Sequence, residues 1–294
     1  MANAIVDTIV AGDARPTSTA PAFASMPIMI NSAPCLAAAI GLAAAFACFA
    51  PASGAEIVCE GTYAKHLQGV CRGDDGALYW CFTDELVKTD AAGARLKAIP
   101  VASHHGDLCC RAGRVYVAVN LGKFNRPAGE ADSWVYVYEA GDLDFVVKHA
   151  VPEVVHGAGG MAWRDGKFFV VGGLPEGIDE NYAYEYDEAF RFVRRHIISS
   201  RFTLMGIQTA AFDGREWWLG CYGKPKVLLR TTAGFGDVRR YEFDAAYGIV
   251  PQDDGRLLVA RDRVVDKRHV AKLVACRPDD ERGLVELTAE AKSP

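Results

Sequence analysis

Beyond residue 55 the chain alternates short apolar stretches with turns rich in Gly and Asp. Its apolar positions nowhere sustain the period near 3.6 residues that a helix surface needs. The period is two instead. Val135 and Val137 alternate with Tyr136 and Tyr138, which puts the two sets on opposite faces of an extended segment. By this criterion Ser133–Tyr138, Phe145–Ala150, Tyr182–Asp187, Phe190–Ile198, Val227–Thr231 and Arg239–Phe243 are predicted strands.

A longer phrase recurs five times: a polar opening, a run of small and apolar residues, a Gly-containing turn and a second apolar strand. The copies are His66–Thr83, His105–Asn120, His156–Gly173, Gly206–Tyr222 and Tyr247–Asp262. Their turn glycines, Gly76, Gly113, Gly166, Gly214 and Gly255, recur at intervals of 37, 53, 48 and 41 residues. Self-similarity at about 40–50 residues marks the blade of a propeller. Each phrase supplies an inner and a second strand, and the segments that follow supply two outer ones. The predicted fold is all-β, a five-bladed β-propeller of four-stranded antiparallel blades, forming one domain over residues 56–294. Small residues such as Gly69, Gly106, Gly157, Gly159 and Gly160 fit inner strands crowded round an axis. Two leftover segments, 56–63 and 283–290, compete to complete the last blade, and the sequence leaves open which one does.

Residues 1–55 differ from the rest, with one Arg, two Asp and no Lys, Glu or His. The Ala-rich run Cys35–Ala50 leads to Ser53 and Ala55, small residues that fit a signal-peptide cleavage site before Glu56. This predicts a periplasmic or secreted protein. A retained N-terminal membrane anchor and a cytoplasmic protein with a disordered head are the alternatives, and Met26 is an alternative start. The net charge of −5, with no Lys/Arg stripe, argues against a nucleic-acid partner. A monomer is expected. Seven cysteines follow Ala55, an odd number that cannot all pair within one chain. Five lie in repeat strands and read as small buried hydrophobes. Cys59 and Cys276, near the two chain ends, are the pair expected to approach across the ring closure. Cys109 and Cys110 are adjacent, so in a strand they point to opposite faces.

The repeat also selects candidate chemistry. In a blade, the start of the inner strand and the loop between the second and third strands lie on one face of the disk, so both surround one mouth of the channel. The inner strands start with His66 and Gln68, His104 and His105, His156, Gln208, and Tyr247, and these positions hold four of the seven histidines. His66, His105 and His156 are expected to hold a divalent metal ion (Mn, Zn, Fe, Mg or Ca) with Gln208 as fourth ligand. Tyr247, with His104 and Gln68, is expected to act in acid–base catalysis. On the loops, Asn120, Lys123, Arg126, Tyr222, Lys224 and Arg261 are expected to bind an anionic ligand, and loops 121–132 and 174–181 are longer than a hairpin needs. The plainer alternative is that the histidines bond backbone and channel water while the cations form a solvated rim. Gly157–Gly160 lacks the Lys-Ser/Thr of a phosphate loop, and no Gly-x-Ser-x-Gly elbow is present.

Four of the five turns read Asp-Gly: Asp75-Gly76, Asp165-Gly166, Asp213-Gly214 and Asp254-Gly255. With the five phrases, which cover about residues 56–290, the chain resembles the broad group of five- to seven-bladed propellers that includes gluconolactonase-like, glutaminyl-cyclase-like and streptogramin-lyase-like proteins. The likeness is one of architecture. In that group, streptogramin lyases and some polysaccharide lyases work by β-elimination with mouth histidines and often a divalent metal, and His66, His105, His156 and Gln208 resemble that arrangement. The gluconolactonase-like enzymes use a Glu/Asn/Asp metal set, which the inner-strand starts do not offer here. A shared fold does not fix a reaction. The expected function is an extracytoplasmic enzyme acting on a sugar-like or carboxylated small molecule, or an oligosaccharide, by metal-assisted β-elimination or hydrolysis. The alternative is a non-catalytic propeller that binds a glycan or a protein.

Overall fold

The computed structural model describes residues 56–287. The export run Cys35–Ala50 and its alternatives lie outside the described residues. A short strand β1 (Ile57–Val58) precedes five sheets. The first blade holds β2 (Leu67–Arg72), β3 (Leu78–Phe82), β4 (Glu85–Thr89) and β5 (Arg95–Pro100). The second holds β6 (His105–Arg111), β7 (Arg114–Asn120), β8 (Ser133–Glu139) and β9 (Phe145–Ala150). The third holds β10 (Ala158–Arg164), β11 (Lys167–Gly172), β12 (Asn181–Tyr186) and β13 (Phe192–Ile198). The fourth holds β14 (Leu204–Phe212), β15 (Glu216–Tyr222), β16 (Val227–Thr232) and β17 (Arg239–Glu242). The fifth is built on β18 (Ile249–Pro251), β19 (Leu257–Val265), β20 (Arg268–Asp279) and β21 (Gly283–Glu286). The first four are antiparallel meanders in chain order. The innermost strands neighbour one another round a ring in the order β2, β6, β10, β14, β18.

The chain is therefore a five-bladed β-propeller. Most outer strands fall where their alternation puts them. The third blade's last strand starts two residues late because Phe190 closes a turn at φ 56°, with Asp187 Oδ1 accepting the Ala189 and Arg191 N–H groups. The ring is closed by both leftover segments at once. β1 pairs with β20 at Ile57–Leu273, and β21 pairs with the other half of the same edge at Arg277–Val285. Cys59 and Cys276 both sit on this closing blade but do not meet. The Cys59 N–H bonds to the Ala271 carbonyl, whereas Cys276 lies opposite Leu257 and Glu286, five residues further along β20. Both are buried free thiols.

Apolar burial is divided among five clusters, one at each seam between adjacent blades. Period-two alternation does this. Neighbouring Trp217 and Trp218 on β15 fill the seams to the third and the fifth blade respectively. Each blade is thus apolar on both faces, which is why the strands read as apolar runs rather than as half-polar ones.

At the axis the inner strands almost touch. A Cβ placed on Gly106 would lie 2.3 Å from the Gly159 carbonyl oxygen, and one on Gly69 would lie 2.4 Å from Asp107 Cα. Asp107 itself fills the axis rather than the mouth. Its Oδ2 accepts the Ala210 N–H of the fourth blade at 3.1 Å. Burial holds its carboxyl well above the ordinary 3.8, while backbone N–H groups of Ala210, Leu108 and Val70 pull it back down. In the window above 3.8 the folded chain keeps a proton that the unfolded chain has lost, so this group's contribution to stability falls as pH rises. Asp107→Asn, which keeps an acceptor oxygen without the charge, should be at least as stable as the parent at pH 8 in urea unfolding and should flatten this pH dependence. Asp107→Ala strands buried N–H groups and should lose about 1–3 kcal/mol per group left unpaired. An Asn variant that is weaker at pH 8 than at pH 5 would contradict the assignment.

Candidate active site

The mouth at the starts of the inner strands opens into a cavity of about 590 Å³. Its wall draws on four blades: His66 and Gln68 from the first, His104 and Phe124 from the second, Met205, Gln208 and Tyr222 from the fourth, and Tyr247, Asp262, Arg263, Val264 and His269 from the fifth. The fifth blade reaches furthest over it. β19 and β20 run on past the sheet as a hairpin whose turn residues, Asp266 and Lys267, have φ of 48° and 63°.

This hairpin carries the most organised polar group of the mouth. Val264 pairs with His269 and Asp262 with Ala271, so alternation places Asp262 and His269 on one face. The His269 Nδ1–H donates to Asp262 Oδ2 at 2.8 Å, while Asp262 Oδ1 accepts the Leu67 N–H of the first blade at 3.2 Å. The dyad therefore stands on the closing seam of the ring. The carboxylate orients the imidazole, and Nε2 has no hydrogen-bond partner among the described residues. The backbone of His269 is held as well, by reciprocal N–H to carbonyl bonds with Tyr63, each 2.9 Å.

Beside it lies a phenol–ammonium pair. Lys226 Nζ donates to Tyr247 Oη at 3.3 Å, lies 4.3 Å from the centre of that ring, and is paired with Asp244 at 3.2 Å. The Tyr222 ring meets Tyr247 edge-on at 5.9 Å. Its hydroxyl is buried without a hydrogen-bond partner, and burial pushes that phenol up.

His66 stands between the two pairs, its ring centre 6.1 Å from His269 and 6.5 Å from Tyr247. The Gln68 carboxamide donates to Nε2 of His66 at 2.8 Å and of His104 at 3.1 Å. Burial lowers both imidazoles, which matches two neutral rings accepting from one amide. His104 lies nearly parallel to Phe124, with ring centres 6.5 Å apart. Phe124 belongs to the long 121–132 loop and folds back onto the third blade. A Cβ on Gly157 would lie 2.5 Å from Phe124 Cδ2. That contact accounts for the glycine there, which serves an aromatic ring rather than a phosphate.

Of the expected residues, the cavity gathers His66, Gln68, His104, Gln208, Tyr222 and Tyr247. The expected metal set is not assembled. His105 is fully buried between blades, with Nδ1–H donating to the Ala102 carbonyl and Nε2 accepting from Tyr138 Oη at 2.8 Å, so no lone pair is left for a metal. His156 donates from Nδ1 to the Arg126 carbonyl at 2.8 Å and lies outside the cavity wall. Gln208 donates to the Met205 carbonyl at 2.6 Å. Among the described residues no three His, Cys, Asp or Glu side chains are grouped as metal ligands.

The loop residues divide similarly. Asn120 is buried and brackets its own loop, donating to the Gly122 carbonyl and accepting the Asp132 N–H. Lys123 pairs with Glu130 in solvent, and Arg126 contributes its carbonyl to His156. Lys224 faces a neighbouring groove, and Arg261 is held by Glu286 and the Asp244 carbonyl. The cations nearest the mouth are Arg263 and Lys226 instead. Asp262, His269, Lys226 and Phe124 went unassigned in the sequence. The available signal was Asp262 and His269 flanking a two-residue turn, but Asp-Lys is not a hairpin dipeptide that sequence reading favours.

No protein-family model matches this chain, and no curated protein does. Among solved structures, the chain is similar to a protein of unknown function from Bacteroides caccae, at 14% identity and a TM-score of 0.44 over 68% of this chain and 71% of that one. It is also similar to the WD40 β-propeller domain of Doa1, at 13% identity and a TM-score of 0.43 over 76% of this chain and 69% of that one.

His105 makes a separate prediction. Burial lowers its pKa from 6.5 to about 4, so below 6.5 the unfolded chain takes up a proton that the folded one refuses. Its contribution is complete above pH 6.5 and is lost as pH falls towards 4, a swing on the order of 3 kcal/mol. His105→Phe should weaken the fold at pH 7.5, where Tyr138 loses its partner, yet lose less further stability than the parent on acidification to pH 5. Equal acid sensitivity in urea titrations of the two proteins would refute this role.

Proposed function

We propose that the channel mouth is a general acid–base site that acts on a small carboxylated or sugar-like molecule, with β-elimination the reaction it suits best. The supporting observation is the placement of the Asp262–His269 dyad and of Tyr247 beside His66 in the wall of one cavity, with Lys226 bonded to the Tyr247 hydroxyl from the neighbouring groove. His269 Nε2 takes the proton from the carbon next to the substrate carboxylate. The C–H electron pair becomes the new double bond, the bond to the β-oxygen breaks, and the Tyr247 hydroxyl protonates the leaving oxygen. Lys226 stabilises the phenolate that results, Arg263 pairs with the carboxylate, and solvent exchange resets both groups. Phe124, Tyr222 and Tyr247 offer aromatic faces to the apolar side of a sugar-like ring. No step in this scheme is routed through a metal.

The test is turnover on uronate-type oligosaccharides and other β-oxygenated carboxylates, read from the absorbance of the unsaturated product. His269→Ala and Tyr247→Phe should each lower kcat by about 10²–10⁴ with the circular dichroism spectrum retained. Chelation with EDTA should leave the rate unchanged. Full activity in His269→Ala would refute the assignment, and loss of activity with EDTA would return the chemistry to a metal.

A second reading is favoured by the rim. Leu121, Leu204, Met205, Val264 and Val265 are exposed around the mouth, as on a surface that receives an apolar partner. A non-catalytic binding propeller would show no turnover on any substrate, and ligand affinity would fall when Val264 is replaced by a charged residue.

A further inference from the structure

The opposite mouth, where the inner strands end, holds a second chemical group that the proposed reaction does not use. Cys71, near the end of β2, and Cys110, near the end of β6, have their sulfurs 3.1 Å apart. They belong to different blades and face one another across the first seam. Both are half-buried and line a cavity of about 210 Å³ that opens at that mouth. The other described cysteines, Cys59, Cys81, Cys109, Cys221 and Cys276, are buried. Cys109 is adjacent in sequence but points into the next seam.

The two strands are also held in place. Gln68 of β2 bonds to His104, just before β6, at one end of this seam, and the carboxylate of Asp107 on β6 accepts from the Val70 backbone midway along it. The thiols are therefore presented to each other by two bonded strands, with the sulfurs about 1 Å beyond a covalent S–S length.

We propose that Cys71 and Cys110 form a redox-active pair that closes as a disulfide between the first and second blades when the protein meets a small-molecule or protein disulfide. Burial pushes the Cys71 thiol up, and the exchange opens on Cys110. Its thiolate attacks one sulfur of the external disulfide, giving a mixed disulfide and releasing one thiolate. Cys71 then loses its proton and attacks the Cys110 sulfur, expelling the second thiolate. The two protons given up by the cysteines end on the two released thiols, so one disulfide is exchanged for another and two thiols for two thiols.

The test uses the full chain, treated with oxidised glutathione under native conditions, then alkylated, denatured and digested with trypsin. Cleavage after Lys65, Arg72, Lys97 and Arg111 gives residues 66–72 and 98–111 as separate peptides. Oxidation should link them, with loss of two hydrogens and of two titratable thiols per chain, and a reductant should free them again. The link should vanish in Cys71→Ser and in Cys110→Ser and persist in Cys109→Ser. Peptides that remain separate and alkylated, a stable glutathione adduct without the link, or a bridge to Cys109 would each overturn the proposal; the unsubstituted protein shows the first two, and a link that persists in Cys110→Ser and vanishes in Cys109→Ser shows the third.

Discussion

Asp107 sits where five strands converge, with its carboxyl buried among them. An unpaired carboxyl there would cost several kcal/mol. Backbone N–H groups on opposite sides of the axis share it, so the first, second and fourth blades are tied through one side chain. The near-contact of Gly106 with Gly159 shows how tight the surrounding collar is. With the waist occupied, the molecule has two separate mouths rather than a pore, and each can carry its own chemistry.

The apolar energy is arranged to match. Each blade is a wedge with two apolar faces, and no cluster is complete until its neighbour is in place. The closing seam joins the two ends of the chain. There the bonds are polar as well as apolar: Asp262 reaches Leu67, Tyr63 and His269 exchange backbone hydrogen bonds, and β1 lies along β20. The candidate chemistry is concentrated at that seam. Buried polar groups need multiple fixed partners, and a ring closure supplies them from both ends of the chain.

Much of the architecture was legible because period-two alternation and the turn glycines are local signals. β9 and β12 show it, the first in the expected place and the second displaced by one residue. Which loops share a mouth was also legible, since strand direction alone decides it. What failed was direction within the mouth. His66, His105 and His156 occupy related places in the repeat, yet one turns to the cavity, one into a seam and one to a loop carbonyl. Rotamers answer to neighbours that lie far away in sequence, Tyr138 in one case and Arg126 in another, and symmetry of the backbone does not extend to them. Lys226 was overlooked in favour of Lys224 for the same reason. Two residues apart around Pro225, they differ only in which one finds Tyr247.

The union of both chain ends on β20 reaches beyond architecture. His269 is placed by Tyr63, a residue made about two hundred positions earlier, and its partner Asp262 is oriented by Leu67. The early segment leans on the first blade, with Tyr63 stacked on Phe82 and Glu60 bonded to Gly93, but its strand partner β20 is made last. Only when the final hairpin leaves the ribosome do carboxylate and imidazole find their shared geometry. The geometry of this dyad is thus a property of the finished circle, and a chain cut short of β20 lacks it.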